Sequence, residues 1–190
     1  MNINQKISTF AYRDIEYSMN KKAIPTLRPQ DLVVLLKLLM GSEGSWNQIS
    51  LARSLFISQS EISESLKRSA YARLLQSNGK EVARKPFMDL LQYGVPYIFP
   101  QQPGVEVRGI PTAHSAEPLV NLISSSENYV WPYAKGHMRG HSILPFYPSV
   151  VQAVELDSQL YECLALIDAL RVGRARERNL ALEILTKRIC

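Results

Sequence analysis

Leu32, Leu35, Leu36, Leu38 and Leu39 recur at helical spacing behind Pro29, a residue suited to the first turn of a helix, and Gly41 and Gly44 stop the run. A helix so apolar over most of its circumference belongs at the centre of a fold. Ser45 then stands three residues before Gln48, a capping-box spacing, and Ile49, Ala52, Leu55 and Phe56 continue a second, short helix. Ser58 and Glu61 repeat the start signal, Ile62, Leu66, Ala70 and Leu74 mark the buried stripe of a third helix, and Gly79 ends it. Pro86 to Tyr93 reads as one more short helix, closed by Gly94.

Beyond this the pattern changes. Tyr97-Ile98-Phe99 and Val105-Glu106-Val107-Arg108 read as two strands around Pro103-Gly104, a hairpin. Residues 116–148 are rich in proline, glycine and aromatics and read as an extended arm. Helical stripes then return, Leu160, Leu164, Ile167 and Leu170 followed by Leu180, Ile184 and Leu185. The organisation expected is mainly α with a small β-hairpin wing: a winged helix-turn-helix over 1–115, the arm over 116–148, and a C-terminal helical hairpin over 149–190. Such a hairpin can bury one face on the rest of the chain and offer another to a twin copy, or simply cap a monomer.

Gln48 through Lys67 fits the twenty-residue helix-turn-helix pattern. Ala52 is the small residue where the two helices touch, and Leu51, Leu55, Ile57 and Ile62 take the principal apolar positions. Phe56 departs from the pattern, because a glycine usually eases the backbone out of the first helix there, and the turn is expected to take a different shape. Opposite the buried stripe lie Gln59, Ser60, Ser63, Glu64, Lys67 and Tyr71, groups able to meet base edges or phosphates. Gln59, Ser60 and Ser63 are candidates for bases. Lys67, Arg68, Arg53, Arg84 and Lys85 are candidates for phosphates, and Arg108, near the tip of the expected wing, for a groove or backbone contact. Glu64 counts against, since a carboxylate repels phosphate unless it accepts from a cytosine amine.

Composition sharpens this modestly. The chain has 190 residues, 46% of them hydrophobic and 21% charged, enough for a real core. Its net charge of +5 tilts it toward a polyanionic partner. Two cysteines, Cys163 and Cys190, imply no disulfide framework and suit a reducing compartment. Met1-Asn2-Ile3-Asn4-Gln5-Lys6 does not open a secretory signal, and no apolar run approaches the roughly 20 residues that span a bilayer, so a cytoplasmic location is expected.

Leu27-Arg28-Pro29-Gln30-Asp31-Leu32, the helix-turn-helix and Ser60-Glu61-Ile62-Ser63 resemble winged-helix bacterial regulators of the multiple-antibiotic-resistance-regulator (MarR) type. Tyr97-Ile98-Phe99-Pro100, Arg108 to Ala113, Val130-Trp131-Pro132-Tyr133 and Leu164 to Arg171 resemble a group of bacterial proteins of similar length. The resemblance implies a homodimeric repressor that binds a palindrome in double-stranded DNA and autoregulates its operon, or an antitoxin whose partner is encoded beside it. The alternative is a protein-docking antitoxin or adaptor that grips a partner through the winged domain and the aromatic arm.

Other constellations weigh less. His137 and His141 are four apart and His114 is a third candidate, but Gly136 and Gly140 bracket the pair and no cysteine or carboxylate completes a metal set, so no metal or cofactor is expected. Tyr129, Trp131, Tyr133, Phe146 and Tyr147 interleave with Lys135 and Arg139; packing of the arm on a helical body is favoured over stacking on unpaired bases. Arg171, Arg174, Arg176 and Arg178 form the densest basic cluster. Asp168 and Glu177 can neutralise part of it, leaving a structural network or a second nucleic-acid contact through Arg174, Arg176 and Arg178. No glycine-rich phosphate loop or nucleophile elbow occurs, so no enzyme is expected, and no residue specifies a small-molecule ligand.

Overall fold

The computed structural model describes residues 24–41 and 46–190; the amino-terminal segment from Met1, with Gly44 and Ser45, lies outside the described residues. Helix α1 (Pro29–Met40) starts at the predicted proline, and Leu32 to Leu36 are buried on every side of it. Helix α2 (Gln48–Leu55) starts from Asn47, whose side chain accepts from the Ser50 N–H at 2.8 Å and so does the work expected of Ser45. Helix α3 (Gln59–Tyr71) starts as expected, with the Ser58 hydroxyl accepting from the Glu61 N–H. The Glu61 carboxylate does not reach back to complete the box; Gln30 on α1 donates to it at 2.5 Å.

The buried face of α3 is rotated from the one predicted. Ile62, Ser65, Arg68 and Ser69 point inward, Ala70 is exposed, and Leu74 lies beyond the helix. The Arg68 guanidinium meets Asp31 of α1 in a two-pronged pair at 2.7 and 2.8 Å. Gly79 does not end α3. It sits at φ 66° in the turn of a short hairpin, where Leu75 bridges Val82 and the Gln76 N–H donates to the Glu81 carbonyl.

Helix α4 (Arg84–Asp89) continues through a π-helical turn, Leu90–Gly94, into α5 (Val95–Ile98). Pro96 cannot donate to a carbonyl one turn back, and the Val95 N–H reaches five residues back to Leu90 instead. Gly94 therefore does not close the helix, and Tyr97 and Ile98 are helical, so the predicted hairpin of Tyr97–Phe99 with Val105–Arg108 is absent. The strand that does form, β1 (Glu106–Pro111), pairs antiparallel with both β2 (Tyr129–Pro132) and β3 (Met138–Ser142), which run parallel to each other and close a three-stranded barrel. The expected extended arm thus holds two strands. Ile110 lies opposite Trp131, and Arg108 opposite Arg139. Backbones approach closely here: a Cβ on Gly109 would strike the Trp131 carbonyl, and one on Gly136 the backbone of Gly109.

Helices α6 (Val150–Glu155), α7 (Ser158–Val172) and α8 (Ala175–Ile189) complete the chain. In place of a single stripe, α7 is buried on nearly every side, enclosed by α1, α5, α6 and α8. Its Asp168 carboxylate, fully buried, accepts from the Thr112 hydroxyl, the Trp131 indole N–H and Arg171 at 2.7, 2.6 and 2.6 Å. Arg171 also donates to the Phe99 carbonyl and lies over the Phe146 ring, so one ion pair ties the barrel and two loops to α7. Among the described residues the protein is mainly helical with a small three-stranded sheet, and no helix there is long and apolar enough to cross a membrane.

Candidate nucleic-acid interface

The turn between α2 and α3 decides how α3 is presented. Phe56 adopts φ 54° and ψ 39°, the left-handed geometry usual for glycine at this point, so the differently shaped turn expected from its bulk does not occur. The Ile57 N–H donates to the Ala52 carbonyl at 3.2 Å, closing the end of α2. Two side chains from the segment before α6 hold the exit: Tyr147 donates to the Leu55 carbonyl and Ser149 to the Phe56 carbonyl, each at 2.9 Å. Left-handed backbone at a bulky residue costs about 1–2 kcal/mol, and these contacts fix it in place.

So held, α3 turns Gln59, Ser60, Glu64, Lys67 and Tyr71 to solvent, with Ser63 half-buried beside them. The Ser60 hydroxyl shares a hydrogen bond with that of Ser58 at 2.8 Å. Lys67 pairs with Glu64 at 2.8 Å, and that hydrogen bond and charge hold the Glu64 carboxyl below the usual range. The carboxylate that counts against phosphate is therefore offset by a neighbour on its own face. Arg53 is exposed on α2, where with Asn47, Gln48, Ile49, Ser50 and Gln59 of α3 it borders a shallow, open depression.

Other predicted contacts lie elsewhere. Arg68 is buried against Asp31, with 9% of its side chain exposed, and cannot reach a phosphate. Its charge is held on, with the Asp31 hydrogen bond the largest influence. Arg84 donates to the Ile189 carbonyl at 2.7 Å, tying α4 to the end of α8. Lys85 is exposed, 3.7 Å from Asp89. Arg108 stands on β1, where it donates to the Gly136 carbonyl at 3.3 Å, and not on a wing tip. Arg174, Arg176 and Arg178 are exposed at the start of α8, whereas Arg171 belongs to the buried network around Asp168.

Sequence reasoning missed the hairpin of Leu75 and Val82, which follows α3 directly. It carries Asn78 and Lys80 at its exposed end, and the Asn78 side chain accepts from the N–H groups of Lys80 and Glu81. Asn78-Gly79 was the available signal, a dipeptide strongly favoured in tight hairpin turns. The aromatic segment packs as expected: Trp131, Phe146 and Tyr147 are buried and Tyr129 and Tyr133 half-buried. His114 is buried against Tyr129, His137 precedes β3 while His141 lies within it, so the two share no helix, and no metal-binding cluster occurs among the described residues. Compared with protein-family models, curated proteins and solved structures, the chain matches none.

Proposed function

We propose that the chain is a sequence-specific double-stranded DNA-binding regulator that inserts α3 into the major groove. One observation carries the reading: beyond a left-handed turn at Phe56, a helix seated on the core through Ile62, Ser65, Arg68 and Ser69 keeps Gln59, Ser60, Glu64, Lys67 and Tyr71 in solvent, with Ser63 half-buried beside them. Amide and hydroxyl groups at the start of such a helix suit base edges, while Lys67 and Arg53 suit the phosphates on either side. The hairpin of Leu75–Val82, directly after α3, takes the position of a wing, with Lys80 near its tip. Action as a repressor, by two copies on a palindrome, rests on the resemblance to MarR-type regulators and on the two-fold symmetry that paired half-sites require.

The test is an anisotropy titration of the full chain with duplex from upstream of its own coding sequence, alongside scrambled duplex at matched ionic strength. The expected result is saturable preference for the native duplex, with log affinity falling linearly against log salt. Gln59→Ala shifts preference at one base pair by about 1–3 kcal/mol, and Lys67→Ala weakens all duplexes alike. Equal binding by wild type and both variants would remove α3 from the interface.

A further inference from the structure

We propose that the half-open cleft between α1, the start of α7 and the end of α8 binds an uncharged small molecule that is part apolar and part hydrogen-bonding. Its volume is about 600 Å³, within the range of small-molecule sites and large enough for a drug-sized ligand. Leu36, Leu39 and Met40 of α1 form one wall, and Cys163 and Ile189 extend the apolar lining. Ser158 and Gln159, at the first turn of α7, supply a hydroxyl and an amide on the other side.

The charges in the lining select the ligand class. Glu162 and Arg188 both line the cavity and are joined to each other in a close ion pair, so the site carries no net charge. A charged ligand would have to compete with that partly exposed pair for its only opposite charge in the lining, which favours an uncharged one. Arg188 also donates toward the Cys163 sulfur at 3.8 Å. Burial pushes the Cys163 thiol up, which keeps it a neutral, polarisable part of the wall. The site stands on these features alone and does not depend on the nucleic-acid reading.

Fluorescence titration of the full chain with Nile red, which is neutral, and with anilinonaphthalene sulfonate, which is anionic, tests the proposal. The neutral dye is expected to saturate at one per chain and the anionic dye to bind at least about tenfold more weakly, the equivalent of one broken pairing. Leu39→Trp fills the cavity and removes neutral-dye binding while the melting transition stays cooperative. Should that variant fail to fold, Met40→Trp fills the same space from the last turn of α1. Glu162→Gln leaves Arg188 uncompensated and shifts the preference toward the anionic dye. The proposal is overturned if neutral dye never saturates, if both filled variants bind it as wild type does, or if Glu162→Gln leaves the preference unchanged. Duplex titration of the same variants reads on DNA binding separately.

Discussion

The hydroxyl of Tyr147 donates to the backbone carbonyl of Leu55, ninety-two positions earlier in the chain, at the point where α2 turns into α3. The ring is buried, and that burial pushes its hydroxyl far above the usual phenol range, so the donor persists at any working pH. Tyr147→Phe keeps the packing and leaves the Leu55 carbonyl without this partner, at an expected cost of about 1–3 kcal/mol. For a chain of this size each kcal/mol lowers Tm by about 2–4 °C, which calorimetry resolves. Ser149→Ala, at a more exposed position, should cost less. On the proposed function both variants also weaken duplex binding, because the turn they release sets the aim of α3.

Asp168 links the barrel to α7 through three donors, one of them charged. Asp168→Ala leaves the Arg171 guanidinium buried without its counter-ion, and removing one member of such a pair costs about 3–5 kcal/mol. Thr112→Val removes a single neutral donor and should cost about 1 kcal/mol. Urea unfolding of the two variants should separate them clearly; equal midpoints would mean that Arg171 is compensated by the Phe99 carbonyl and the Phe146 ring.

A different carboxylate contributes to the acid limit. Burial raises the Asp157 carboxyl, but the Lys37 hydrogen bond at 2.5 Å, the N–H groups of Leu160 and Gln159 and the Lys37 charge together outweigh it and hold it below its ordinary value of 3.8. A group depressed in the folded state adds stability that is complete above its unfolded value and disappears as pH falls through the folded one. The stability curve should therefore descend below about pH 4. Asp157→Asn keeps a capping side chain for α7 and loses the charge, so it should flatten part of that descent while lowering stability at neutral pH. A variant curve parallel to wild type from pH 5 to 2 would refute the assignment.

Where local chemistry settles a structure, the residues announce it. Pro29 opens α1 and Ser58 opens α3, because each satisfies a requirement confined to one or two turns. The errors arise where distant partners decide. Tyr97, Ile98 and Phe99 have the composition of a strand, yet the helix entering from α4 takes in Tyr97 and Ile98 once a π-turn accommodates Pro96, and it ends at Phe99. The residues of β1 pair with partners 19 to 35 positions away, and nothing near β1 in sequence names them. Phe56 shows the same rule in reverse: its backbone conformation is locally unfavourable and is held by Tyr147 and Ser149, which only the folded chain brings near. Of the candidate site, Gln59, Ser60, Glu64 and Lys67 were legible as outward-facing from helical period, the inward turn of Arg68 was not because Asp31 lies on another helix, and the hairpin of Leu75–Val82 was hidden by reading Gly79 as a stop.

Arg68 and Lys67 are adjacent basic residues on one helix, both candidates for phosphate by composition, and the fold separates their roles. Arg68 points inward to Asp31, whose carboxylate also accepts from the Arg28 N–H at the start of α1. Removing Arg68 strands a buried carboxylate, so Arg68→Ala should cost about 3–5 kcal/mol. Lys67 lies in solvent beside Glu64, and an exposed pair of this kind contributes at most about 1 kcal/mol. Lys67→Ala should therefore leave Tm nearly unchanged while reducing the salt slope of duplex binding by about 1. Arg68→Met, paired with Asp31→Leu, removes both buried charges together and should recover much of the stability lost in Arg68→Ala. If that double variant folds and binds duplex with the wild-type salt slope, Arg68 contacts no phosphate; a slope lowered as in Lys67→Ala would place it at the interface after all.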